Sequence, residues 1–248
     1  MVGGTIVKDV EKYPFMVAVD DIQYDGPYYC GGTLIAPRYV LTAAHCVAND
    51  ALDGYLPPDD FRVAIGYLDR EAIPDSGWMT VKRVIPEPAY IPSAFYLGND
   101  AALLELSAPV KGVDVAQLPA SGDRSFEGTR DPVTAIGWGG KYRYGPDSKM
   151  LREVGMRVDK AKTCKELFET NLGLPYVSAL LICASAPGKS TCQGDSGGPI
   201  LAKDGARWVQ DGVTSGAVGC AMTGWPPFYT RLSNPDVNAF VRDAAGIK

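Results

Sequence analysis

Short apolar or alternating runs, each closed off within a few residues by Gly, Pro, Asn or Asp, constrain this chain more than any other feature. They fall at residues 16–19, 33–36, 39–42, 62–65, 81–85, 101–106, 133–138, 151–158, 199–202, 208–215 and 228–231. Runs of this length, broken at short intervals by turn residues, suit strands and not helices. They predict an all-β sandwich or barrel. Helix signals are sparse. The best is at the C-terminus: Asn234 can cap, Pro235 fits the first helical position and Gly246 can stop the helix. Val237, Phe240, Val241 and Ala244 then share one apolar face. A second helix is expected over residues 161–169.

The chain has 248 residues, enough for one large domain or two of ordinary size. A boundary falls near residues 119–130, where Gly, Ser and charged residues collect. The net charge of −5 argues against nucleic acid as a main partner. No run of eighteen apolar residues is present, so no membrane span is expected. No signal peptide is present; if the protein is secreted, this chain is a processed form. There are six cysteines, none in a C-x-x-C pair or beside a second histidine, so no zinc or other metal centre is expected. Three disulfides and an oxidising compartment are the natural reading, and the pairing stays open.

Three segments could carry chemistry. In Gly194-Asp195-Ser196-Gly197-Gly198-Pro199, glycines on both sides let the backbone turn tightly and approach a ligand closely. A serine there is exposed, with neighbouring amides able to converge on one point, as an acyl-transfer nucleophile requires. The plainer alternative is a tight turn. The string also fits the nucleophile elbow of an α/β-hydrolase, but that fold places its histidine after the serine. Here the chain's single histidine, His45, lies far upstream. His45 sits among Thr42-Ala43-Ala44-His45-Cys46, where small neighbours leave an imidazole room to face a cleft and act as a base near neutrality. Asp100, just before Ala101-Ala102-Leu103-Leu104, is placed where burial would let a carboxylate hold a histidine tautomer.

Together and in this order, these segments closely resemble the trypsin/chymotrypsin family. Further matches are Val2-Gly3-Gly4, Cys30-Gly31-Gly32-Thr33-Leu34-Ile35, Gly137-Trp138-Gly139 and Pro227-Phe228-Tyr229-Thr230-Arg231, so the resemblance covers nearly the whole chain. It implies two six-stranded antiparallel β-barrels with a C-terminal helix: residues 1–120 carrying His45 and Asp100, 121–232 carrying Ser196, and the helix in 233–248. It implies a secreted serine endopeptidase made as a zymogen, with no cofactor. His45 is expected as base then acid, Asp100 as its orienting partner, Ser196 as nucleophile, and the Gly194 and Ser196 amides as an oxyanion hole. Ser215 resembles the family serine that supports the buried aspartate. The family pairs would be Cys30–Cys46, Cys164–Cys183 and Cys192–Cys220. A further frequent family disulfide is absent at both ends, where Val133 and Ala202 stand. Expected partners are protein or peptide substrates and protein protease inhibitors, for a monomer in contact with neither nucleic acid nor membrane.

The pocket departs from the trypsin pattern. Ser190 stands where trypsin-like members carry an aspartate, so a buried Lys or Arg would lack a counter-charge. Ser215-Gly216-Ala217 stands where Ser-Trp-Gly is usual, so Ala217 would narrow the pocket and Gly216 would remove an aromatic wall. Pro227 replaces a usual glycine. An apolar preference, chymotrypsin-like or elastase-like, is expected. Asp69, Glu71 and Asp75 match the spacing of the family calcium loop poorly and read as a solvated acidic loop. Gly137-Trp138-Gly139-Gly140 lacks the lysine of a phosphate loop. Met1 stands where the family's processed isoleucine would be. Either it frays in solvent as a leftover, or its amine inserts beside Asp195 and translation itself yields an active start. The rival from another class is a non-catalytic homologue that binds a protein partner; such proteins usually lose a triad residue.

Overall fold

A computed structural model describes residues 1–23, 29–49 and 54–248. Six antiparallel strands close into a first barrel. Their order is Met16–Asp21, Tyr29–Ala36, Tyr39–Thr42, Ala102–Leu106, Met79–Pro86 and Phe61–Ile65, the last pairing back onto the first. A second barrel runs Arg152–Val158, Pro132–Gly137, Pro199–Asp204, Arg207–Gly216, Phe228–Arg231 and Leu181–Ser185. It closes where Arg157 meets Ser185. The expected architecture of two six-stranded barrels and a C-terminal helix is the observed one.

The side-chain period of two explains which way each strand faces. In Arg152–Val158, Val154, Met156 and Val158 point into the barrel core, while Gly155 and Arg157 face out. Ala102–Leu106 has no exposed position, because the C-terminal helix packs against it. That helix runs Pro235–Ala245. Asn234 caps it by accepting from the Asp236 and Val237 amides, and Gly246 ends it in the left-handed conformation. Residues 161–169 are helical, as expected, but not α-helical throughout. Ala161–Lys165 is α-helical, and wider turns then carry Glu166–Leu172 to Gly173.

The first residues of the chain sit on the second barrel, although chain order puts them with the first. Thr5 and Ile6 pair with Glu153 and Arg152, and Val2 bridges to Ser190. The disulfides are Cys30–Cys46, Cys164–Cys183 and Cys192–Cys220. Val133 and Ala202 are both buried.

Where the barrels meet, backbone touches backbone. The Gly31 amide in the first barrel donates to the Ser196 carbonyl in the second at 2.7 Å. A Cβ on Gly197 would stand 2.4 Å from the Gly31 oxygen, and Gly197 has a φ of +75°. Only glycine allows this approach, and it brings the Ser196 turn to the edge of the first barrel.

Candidate active site

Asp100 follows the apolar logic of its neighbours into the interior and is wholly buried. A buried carboxylate needs donors, and it has three. The His45 backbone amide donates to Oδ1 at 2.9 Å, His45 Nδ1 meets Oδ2 at 2.7 Å, and the Ser215 hydroxyl donates to Oδ2 at 2.6 Å. Thr230 Oγ1 donates to the Asp100 backbone carbonyl at 3.0 Å. Ala43 and Ala44 are fully buried and leave the imidazole its space. With Nδ1 turned to the carboxylate, the favoured tautomer carries its proton there and leaves Nε2 as an acceptor.

His45 and Ser196 line the same open cleft of about 360 Å³, together with Tyr90, Phe95, Gln193 and Ala217. The turn that carries Ser196 is held from below. Asp195 is buried, and its Oδ1 accepts from the Gly139 amide at 2.8 Å, its Oδ2 from the Cys192 amide at 2.9 Å. The Met1 amino group pairs with Asp195 Oδ2 at 2.9 Å and donates to the Gly139 and Gly140 carbonyls at 2.8 Å each. The Met1 side chain is buried in the second barrel's core with Val133, Ile182 and Ile200. Among the described residues, neither the Gly194 nor the Ser196 amide donates to a protein acceptor. The Cys30 and Cys46 sulfurs approach His45 but are bonded to each other, so they are not thiolate ligands.

A family model described as Trypsin matches residues 1–240. The chain belongs to the trypsin family. It is 33% identical to a protein named "Trypsin" from Saccharopolyspora erythraea over 237 residues, covering 94% of this chain and 93% of that one. It is 34% identical over 240 residues to a mouse protein named "Tryptase", covering 90% of this chain and 81% of that one. A mouse protein named "Serine protease 56" is 32% identical over 94% of this chain, which spans 37% of that protein's length. Trypsin-family membership makes the chain a serine endopeptidase acting on protein or peptide substrates.

Within this trypsin-family frame, Ser215, Gly216 and Ala217 line the cleft. Ser190 and Pro227 do not. Ser190 is fully buried, tied to Val2 through both backbone groups, with its hydroxyl donating to the Thr191 carbonyl. Pro227 faces a separate groove with Trp225 and Ala186. Beside Gly216, where the usual aromatic residue is missing, Phe95 lines the cleft. Phe95 stacks on Phe228 with ring centroids 6.1 Å apart. A Cβ on Gly216 would stand 2.6 Å from the Phe228 ring and 3.1 Å from Phe95, so the rings occupy the space a larger residue would take. Tyr90, Pro92 and Phe95 escaped the sequence reading because their segment carries neither periodicity nor a motif.

Asp69, Glu71 and Asp75 are not gathered as a cation cage. Asp69 caps its own turn by accepting from the Glu71 amide, and Glu71 pairs with Lys149 at 2.5 Å. No helix among the described residues is long and apolar enough to cross a membrane.

Proposed function

We propose that His45, Asp100 and Ser196 are the catalytic triad of this endopeptidase, and that it cleaves after apolar residues. His45 Nε2 takes the Ser196 hydroxyl proton as Oγ attacks the scissile carbonyl carbon. The Gly194 and Ser196 amides donate to the resulting oxyanion. Collapse breaks the C–N bond, and the leaving amine takes the proton back from His45. Water then repeats the sequence on the acyl-enzyme and frees Ser196. Asp100 keeps the imidazole in the useful tautomer and stabilises its charged form. The Met1–Asp195 pair holds the Ser196 turn in its working shape.

The observation that carries the specificity is the lining of the cleft beside Ser196. Among the described residues it holds aromatic, apolar and neutral polar side chains and no carboxylate. A Lys or Arg side chain entering it would lose water without gaining a counter-charge. A peptide library tests this. Leu, Met, Phe, Tyr or small apolar residues before the scissile bond should be cut well ahead of Lys or Arg; a clear Arg preference would overturn the reading. Three disulfides support secretion, since such bonds persist in oxidising compartments. Processing from a zymogen, a monomeric state, recognition by protein inhibitors, and a division into residues 1–120, 121–232 and the 233–248 helix belong to the same proposal.

A further inference from the structure

A loop of the first barrel is sewn to the second barrel directly behind the Ser196 turn. The Arg70 amide donates to the Lys149 carbonyl at 3.0 Å, the Leu151 amide to the Leu68 carbonyl at 2.6 Å, and Trp138 Nε1 to the same Leu68 carbonyl at 3.1 Å. Asp69 bridges to Met150. The joined segment follows Gly139 and Gly140, whose carbonyls receive the Met1 amine.

Within this seam lies an ion pair with little access to water. Arg70 Nη1 donates to Asp147 Oδ2 at 3.3 Å, with side chains 7% and 22% exposed. The Asp147 carboxylate lies against the Ser196 turn. A Cβ on Gly194 would stand 3.2 Å and 3.3 Å from its two oxygens. Burial pushes the Asp147 pKa up, and Arg70 pulls it only part of the way back. Asp195 and the Met1 ammonium are close enough to act on it as well. Two positive charges (Met1 and Arg70) and two negative ones (Asp195 and Asp147) therefore back the amide of Gly194. Charges partly shielded from water interact more strongly than exposed ones. A lone carboxylate there would oppose the negative charge that develops on the substrate oxygen.

We propose that Arg70 is a positioning residue for catalysis: through Asp147 it neutralises and fixes the carboxylate behind Gly194, so that the donor amide works against a neutral background. This rests on the reading of Gly194 and Ser196 as the oxyanion hole. The role is electrostatic, so it acts on turnover more than on substrate capture.

Three variants of the full chain decide it: Arg70→Gln, Arg70→Lys and Arg70→Gln/Asp147→Asn. Each is first checked for fold by circular dichroism, then assayed for kcat and KM on one peptide. Arg70→Gln leaves the carboxylate unpaired and should lower kcat about tenfold, less than the loss of a whole oxyanion donor, with KM within twofold. Arg70→Lys keeps the charge and should stay within about threefold of native, as a charge-based role requires. The double variant removes both charges and should recover most of the lost kcat. A folded double variant that is still tenfold slower overturns the proposal, even if Arg70→Gln alone does not fold. So does a folded Arg70→Gln with native kcat. Labelling of the native enzyme by a serine-directed phosphonylating reagent separates the two readings. If Ser196 of the native protein is not modified, the underlying site assignment fails; if it is modified and the variants behave alike, only the Arg70 role fails.

Discussion

Asp100 grips His45 twice, with one carboxylate oxygen on the backbone amide at 2.9 Å and the other on Nδ1 at 2.7 Å. The two bonds fix both the position of the residue and the rotation of its ring. Asp100→Asn keeps the shape but offers an amide N–H where Nδ1–H needs an acceptor. The ring should then take the wrong tautomer, and kcat should fall by about 10⁴. Ser196→Ala should fall as far or further, and combining the two should add little, because members of such a unit fail together. Steady-state kinetics on a chromogenic peptide checks this. Near-native turnover in Ser196→Ala would falsify the triad assignment.

The second prediction concerns pH. A base must be unprotonated to accept the Ser196 proton, and a free imidazole titrates near about 6.5. The kcat/KM of the native enzyme should therefore rise with pH, with its midpoint between roughly 6 and 7.5. A profile flat across that range excludes His45 as the base.

Asp211 gives a stability prediction separate from catalysis. It lies buried in the strand Arg207–Gly216, and among the described residues neither carboxylate oxygen has a hydrogen-bond partner. Burial, then Asp123 and Asp131, push its pKa up to about 7. In the unfolded chain an aspartate titrates near about 3.9. Between these values the folded form holds a proton that the unfolded form has released, so this group lowers stability as pH rises from about 4 to about 7. Asp211→Asn should remove that loss. Its advantage over native should be near zero at the acid end and grow towards neutrality. The ceiling is roughly 4 kcal/mol, at about 1.4 kcal/mol per tenfold change in proton affinity. Denaturant unfolding at pH 4.5 and pH 7.5, in a Ser196→Ala background to prevent self-digestion, measures it. An equal effect at both pH values would refute the account.

The strands and the terminal helix were legible because their signals are local. Residues 101–106 read as a short apolar run and form Ala102–Leu106; Asn234, Pro235 and Gly246 each sit where capping chemistry puts them. His45, Asp100 and Ser196 stand out through their neighbours; His45 and Ser196 line one cleft, and Asp100 lies buried beneath, bonded to His45. Features made by distant residues left no such trace. Thr5–Ile6 is a two-residue exposed strand without alternation. The Phe95–Phe228 stack joins residues from different barrels, and nothing in either segment announces the other. The helix expected over residues 161–169 loses its regular turn after Lys165 and reaches Gly173, because Leu167 and Phe168 pack into a cluster with Leu181 and Phe228. Packing there overrides a local preference.

The last prediction concerns the amino group of Met1. Both it and the Asp195 carboxylate are fully buried, and the amine makes two further bonds to the Gly139 and Gly140 carbonyls. A buried charge that loses its partner is strongly destabilising, typically by about 3–5 kcal/mol. The strain would fall on Asp195, and so on the turn holding Gly194 and Ser196. Acetylating the amine removes its charge and crowds the carbonyls. Adding residues before Met1 moves the charge away from Asp195 altogether. Each change should lower kcat/KM by at least about tenfold, while most of the fold stays intact, since the two barrels close without it. Trimming to Val2 should do the same, because the new amine would fall short of Asp195 and the Met1 side chain would leave a void beside Val133 and Ile200. The measurement is kcat/KM on a peptide substrate, with the N-terminus of each sample defined by intact mass. Full activity in a sample whose mass shows an uncleaved extension would mean that the Ser196 turn holds its shape without the amine, and the pair would then have no part in catalysis.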